Sequence, residues 1–147
     1  VLMNYVKHGG VMLVQYKTNN NIGRVTTQLF TYNFEISRTR VTDENAKVNF
    51  LQPKHALLNY PNKISEADFD NWIQERSTYE AEKTGENFQH IFSMSEEKKK
   101  QSNGSLIVAD YGKGRLIYCG LSFFRQLPAG VPGAFRLMAN LLARPVK

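Results

Sequence analysis

The chain is 147 residues long, 41% hydrophobic, and carries a formal net charge of +6. That length bounds it to one domain, and that apolar content excludes a wholly disordered chain. No apolar run nears the ~18 residues of a membrane span, and the lone Cys119 excludes an internal disulfide framework and a cysteine-built zinc site.

Charge is uneven along the chain: residues 1–42 sum to +4, residues 43–104 to −3 and residues 105–147 to +5. The tight basic cluster Lys98-Lys99-Lys100 follows Glu96-Glu97 and precedes Gln101-Ser102-Asn103-Gly104. It reads as a solvated loop tip rather than a basic face with interleaved aromatics, so no nucleic-acid partner is expected.

Val1 to His8 reads as a helix already in progress, with Leu2, Val6 and Met3 on one face and no capping residue before it. An excised piece of a larger chain, incomplete at its N-terminus, is therefore the expectation. Gly9-Gly10 stops that helix, and Val11 to Tyr16 is a continuous apolar run. Such a run marks a strand covered on both faces, as in α/β sheets. Residues 17–34 read as a long polar loop, and Ile36 to Val41 as extended.

Residues 47–51 alternate up to Pro53 and predict a strand. His55 to Asn59 predicts one helical turn. Ser65-Glu66-Ala67-Asp68 resembles a capping box that starts a short helix burying Phe69 and Trp72. Residues 77–87 are polar and carry no periodicity. Residues 88–94 predict another strand. Two β-rich runs, 105–111 and 115–121, flank Gly112-Lys113-Gly114 and predict a hairpin. Pro132 then opens an amphipathic helix to Leu142, with Leu137, Met138, Leu141 and Leu142 as its apolar stripe.

The expected fold is a three-layer α/β domain. Strands 11–16, 47–51, 88–93, 105–111 and 115–121 form its mixed sheet, and helix 132–142 covers one face.

Reactive chemistry is sparse. His8, His55 and His90 lie in separate elements without metal-ligand spacing, so no metal and no cofactor are expected. Gly120-Leu121-Ser122 lacks the second glycine of a nucleophile elbow. Cys119 lies inside a strand pattern and reads as an inert thiol. Polar groupings remain around Arg40 and Asp43, around Glu75 and Arg76, and at Arg125. Each reads as a salt-bridged loop anchor. Alternatively, Arg40, Asp43, Glu75, Arg76 and Arg125 line one polar cleft at the strand ends, suited to sugar hydroxyls or a partner's carboxylates. A further alternative is an independent hydrolase with Glu75 or Asp43 as general base.

Four stretches carry a family resemblance: residues 5–16 (YVKHGGVMLVQY), 36–46 (ISRTRVTDENA), 69–76 (FDNWIQER) and 121–137 (LSFFRQLPAGVPGAFRL). They resemble the C-terminal region of large Bacteroidetes proteins of the PIG-L (LmbE-like) deacetylase family. The resemblance implies an accessory domain of flavodoxin-like or class I glutamine amidotransferase-like (ThuA-like) fold beside a zinc-dependent sugar de-N-acetylase. The family's Pro-His-Pro-Asp-Asp type motif does not occur here, so no catalytic or metal residue carries over. An active amidotransferase has a cysteine after a strand; here Val11–Tyr16 runs into Lys17-Thr18-Asn19. Residues 77–87 also depart from the family's aromatic-rich continuation. The implied partners are the chain's own upstream catalytic domain and a carbohydrate, and the implied setting is periplasmic or secreted.

Overall fold

The computed structural model describes residues 1–15, 31–96 and 99–144. The expected polar loop over residues 17–34 lies outside them except at its end. So do Tyr16 and Lys98.

Among the described residues, ten short strands and three α-helices make a mixed α/β fold with more strand than helix. Helix α1 (Leu2–Lys7) leads into β1 (Val11–Gln15). The paired runs become β9 (Leu106–Tyr111) and β10 (Gly114–Cys119), joined by a turn with Gly112 at φ +60°. A left-handed turn position of this kind favours glycine. β7 (Gln89–His90) completes a four-stranded sheet of order β1-β10-β9-β7. β1 runs parallel to β10, with Leu13 opposite Ile117. The other two pairings are antiparallel.

Alternation along β9 and β10 explains why both runs are apolar throughout. Leu106, Val108, Ile117 and Cys119 face one core, with Leu137 and Leu141 of helix α3 (Pro132–Leu142), Trp72 and Phe92. Ile107, Ala109, Leu116 and Tyr118 face a second core, built on Val6, Phe34 and Phe88. Each fully buried valine, leucine, isoleucine or phenylalanine among them contributes about 1.5–3 kcal/mol. β1 is less deeply placed than its sequence implies: Val11 to Val14 are half-buried, at the margin of the four-stranded sheet.

The strand expected at 47–51 forms as β4 (Val48–Phe50) but does not join that sheet. It pairs with β8 (Phe92–Met94) instead. The single strand expected at 88–94 is therefore divided. Its first part, β7, pairs with β9, and its second part, β8, pairs with β4. Ile91 is the crossover: its N–H donates to Leu106 O at 3.0 Å while its carbonyl accepts from Leu51 N at 2.9 Å.

The Ser65 cap forms as read, with Ser65 N–H donating to Asp68 Oδ2 at 2.8 Å, but it opens a 3₁₀ turn (Glu66–Phe69). Phe69 and Trp72 are buried beneath it. His55 begins a second 3₁₀ turn (Ala56–Leu58). Helix α3 packs closely on the first turn through Gly133, where a Cβ would lie 1.9 Å from Asp68 O. The expected stripe on α3 is met by Leu137 and Leu141, with Met138 half-buried against the same core. Leu142 is exposed, and the buried polar Asn140 takes its place. Likewise, Leu2 of α1 points to solvent while Val6 is buried.

Candidate functional site

Residues 71–83, which reach into the stretch 77–87 read as polar, pass partly through the interior. Glu75, Arg76, Ser77, Thr78 and Glu80 are all buried. The segment contributes two short strands, β5 (Ser77–Thr78) and β6 (Ala81–Glu82). β5 pairs with β3 (Arg40–Val41), and β6 pairs with β2 (Glu35–Ile36). Five non-glycine residues in it have positive φ: Asn71, Gln74, Glu75, Tyr79 and Lys83. Glu75 at φ +128° is the most strained of these, a conformation costing about 1–3 kcal/mol.

Helix α2 (Phe123–Gln126), a single turn after β10, holds that strain in place. Ser122 Oγ donates to Glu75 O at 2.6 Å, and Ser122 N–H donates to Arg76 O at 3.0 Å. The buried Gln126 side chain accepts from Ile73 N–H at 2.8 Å and donates to Ile73 O at 2.7 Å. Sequence reasoning missed both positioning residues. The available signal was polar Ser122 and Gln126 at i, i+4 on either side of Phe123-Phe124.

Three of the five expected cleft residues come together. Glu75 Oε2 accepts from Arg40 Nη2 at 2.7 Å, and Glu75 Oε1 accepts from Arg125 Nε at 3.1 Å. The Glu75 side chain is 4% exposed, whereas that of Arg40 is 54% exposed. The carboxylate is thus an internal anchor that aims a guanidinium outward. Arg125 also donates to Gln74 Oε1 and stacks over Phe124 at 5.0 Å.

The other two residues do not join the cleft. Arg76 turns inward because its donors find buried carbonyls: Nε reaches Ala46 O at 3.2 Å and Nη1 reaches Phe69 O at 2.5 Å. Its guanidinium lies over the Phe69 and Trp72 rings. Burial lowers its pKa from the ordinary value, while Asp43, Asp70 and Glu44 oppose that shift. Asp43 is exposed, and its Oδ1 accepts from Asn45 N–H within its own turn.

Beside Arg40 an open pocket of about 220 Å³ is lined by Arg38, Arg40, Thr78 and Tyr79. These side chains offer planar donors, a hydroxyl and an aromatic ring. Cys119 is wholly buried and its thiol is pushed up to about 12 by desolvation, so it stays protonated. Among the described residues, no three His, Cys, Asp or Glu side chains gather as metal ligands. No helix among them is long and apolar enough to cross a membrane.

No protein-family model matches the chain, and no curated protein matches it.

Proposed function

We propose that this chain is a non-catalytic binding module, the accessory domain of a PIG-L type sugar de-N-acetylase, and that its Arg38–Arg40 pocket takes a carbohydrate. The observation that carries the reading is the Arg40 guanidinium, tethered to buried Glu75 and otherwise open beside Arg38, Thr78 and Tyr79. A preset guanidinium fork loses little freedom when it bonds to sugar oxygens. The chain's own catalytic domain is the proposed second partner.

The hydrolase alternative has less support. A general base needs an oxygen within reach of a substrate or water proton. Both Glu75 oxygens already accept from arginines, and Asp43 serves its own turn. The flavodoxin-like reading of the fold rests on the parallel β1/β10 pair and on a sheet with a core on each face.

Calorimetry with N-acetylglucosamine oligomers and with an acidic glycan tests the site. Saturable binding that Arg40→Met removes, with circular dichroism unchanged, is the expected result. Absence of heat with every glycan, or undiminished binding by Arg40→Met, overturns the reading.

A further inference from the structure

The buried Glu75 carboxylate accepts from two guanidiniums, those of Arg40 and Arg125. Among the described residues, no other carboxylate lies within ion-pair distance of either arginine. Asp43 serves the Asn45 N–H of its own turn. Two positive charges against one negative leave the triad with an excess of one. Arg125 also bonds to Gln74 and lies over the Phe124 ring. Arg40 bonds to Glu75 through Nη2 alone; among the described residues its Nε and Nη1 make no hydrogen bond. The excess charge is thus presented on the exposed Arg40, with planar donors open beside it.

Arg40 and Arg38 line the pocket of about 220 Å³ with Thr78 and Tyr79, and none of these lining residues is acidic. The wall of the pocket is fixed from behind. Arg40 pairs with Thr78 across β3 and β5. Thr78 N–H donates to Gly120 O at 2.8 Å, and the Tyr118 hydroxyl donates to Tyr79 O. A Cβ on Gly120 would lie 2.9 Å from Thr78 O, so glycine lets the two backbones meet. A wall held this way loses little freedom when a ligand enters.

From this charge count and this pocket we propose that the group selected here is a carboxylate, so that the carbohydrate of the reading above is an acidic one, a uronate-bearing glycan. The sugar rests on that reading, and the acid on the Arg40–Glu75–Arg125 charge count. A carboxylate meets a guanidinium through charge-assisted, bidentate bonds, roughly twice as strong as bonds between neutral groups. It is planar like the guanidinium and carries one negative charge, which matches the excess of the triad. A phosphate monoester, tetrahedral with about −1.5 to −2 at pH 7, matches neither. Because Arg40 is exposed, salt screens the attraction, and affinity should fall as ionic strength rises.

The test is an amide NMR titration of the whole chain with trigalacturonate, its methyl ester, the N-acetylglucosamine trimer, inorganic phosphate and glutarate, a carboxylate without a sugar. Trigalacturonate is expected to shift the Thr78 and Tyr79 amides and to bind about tenfold or more tightly than its ester. Raising sodium chloride about tenfold should weaken the acid and leave the ester unmoved. Arg40→Lys keeps a charge for Glu75 without the planar fork, and should weaken trigalacturonate about fivefold or more. Equal binding of the acid and its ester, or of the acid and the N-acetylglucosamine trimer, overturns the carboxylate and leaves the carbohydrate reading standing. Equal binding of glutarate and trigalacturonate keeps the carboxylate and overturns the carbohydrate. The proposal is also overturned if neither acid moves these amides, if phosphate binds more tightly than trigalacturonate, or if Arg40→Lys leaves the affinity unchanged.

Discussion

The β9–β10 hairpin and the middle of residues 71–83 are both interior, yet they are built by opposite rules. In the hairpin the side chains are mostly apolar and the backbone carries the polar pairing. In residues 71–83 five polar side chains, those of Glu75, Arg76, Ser77, Thr78 and Glu80, are themselves buried, and each of Glu75, Arg76 and Ser77 is met by a named partner. The lesson is that burial around the candidate site is made tolerable by pairing rather than by hydrophobicity. Such a segment holds charges at fixed positions, which a binding surface needs and an apolar strand cannot supply.

The two buried arginines sharpen this contrast most. Arg76 donates to two interior carbonyls and covers two rings, so Arg76→Met should cost about 3–5 kcal/mol in urea denaturation. Arg76→Lys should recover little of that loss, because a point charge does not reproduce the planar fork. In the hairpin, Ile117→Ala should cost about 2–4 kcal/mol, as expected for a fully buried side chain between two layers. Gln126→Leu should cost about 2–3 kcal/mol by leaving the Ile73 N–H and carbonyl unpaired. It should also loosen the Glu75 turn, read as faster amide exchange at residues 73–76.

A smaller effect concerns pH. His55 Nδ1 accepts from Leu57 N–H at 3.1 Å, a bond that protonation of that nitrogen abolishes. Burial, then the Arg115 charge, hold its pKa below the ordinary 6.5, with Asp110 and Gln89 opposing. The unfolded chain therefore binds more protons just below that value. This contribution is complete above pH 6.5 and declines as pH falls below it. Denaturation midpoints followed downward from neutral pH should drop, and His55→Asn, which keeps an acceptor at the cap, should flatten that drop.

The smallest expected change is at Arg115. Its side chain is 8% exposed, Nε has no hydrogen-bond partner, and Asp110 Oδ1 stands 3.9 Å away. Arg115→Met should leave stability within about 1 kcal/mol or raise it. A loss as large as that of Arg76→Met would erase the distinction between paired and unpaired burial.

Much of the sheet was legible because its signals are local. Two β-rich runs around a Gly-Lys-Gly turn and a Pro-started helix place β9, β10 and α3 without knowledge of partners. The placement of β4 was not legible, since residues 47–51 read equally well as a strand of either sheet. Its true neighbour is set by the change of partner at Ile91. The candidate site was half legible. Arg40, Glu75 and Arg125 stand out as charges beside turns, and they do meet. The inward turn of Arg76 depends on carbonyls of Ala46 and Phe69, which no spacing reveals. Glu80 was invisible for the same reason: its burial comes from a loop more than twenty residues away in sequence.

The crossover at Ile91 has one more consequence. A single residue bonds through its N–H to one ladder and through its carbonyl to the other. Peeling β4 away tugs on the same residue that steadies β9. The two ladders are thereby joined at one residue, and the Leu51 and Ile91 amides should lose protection from deuterium together.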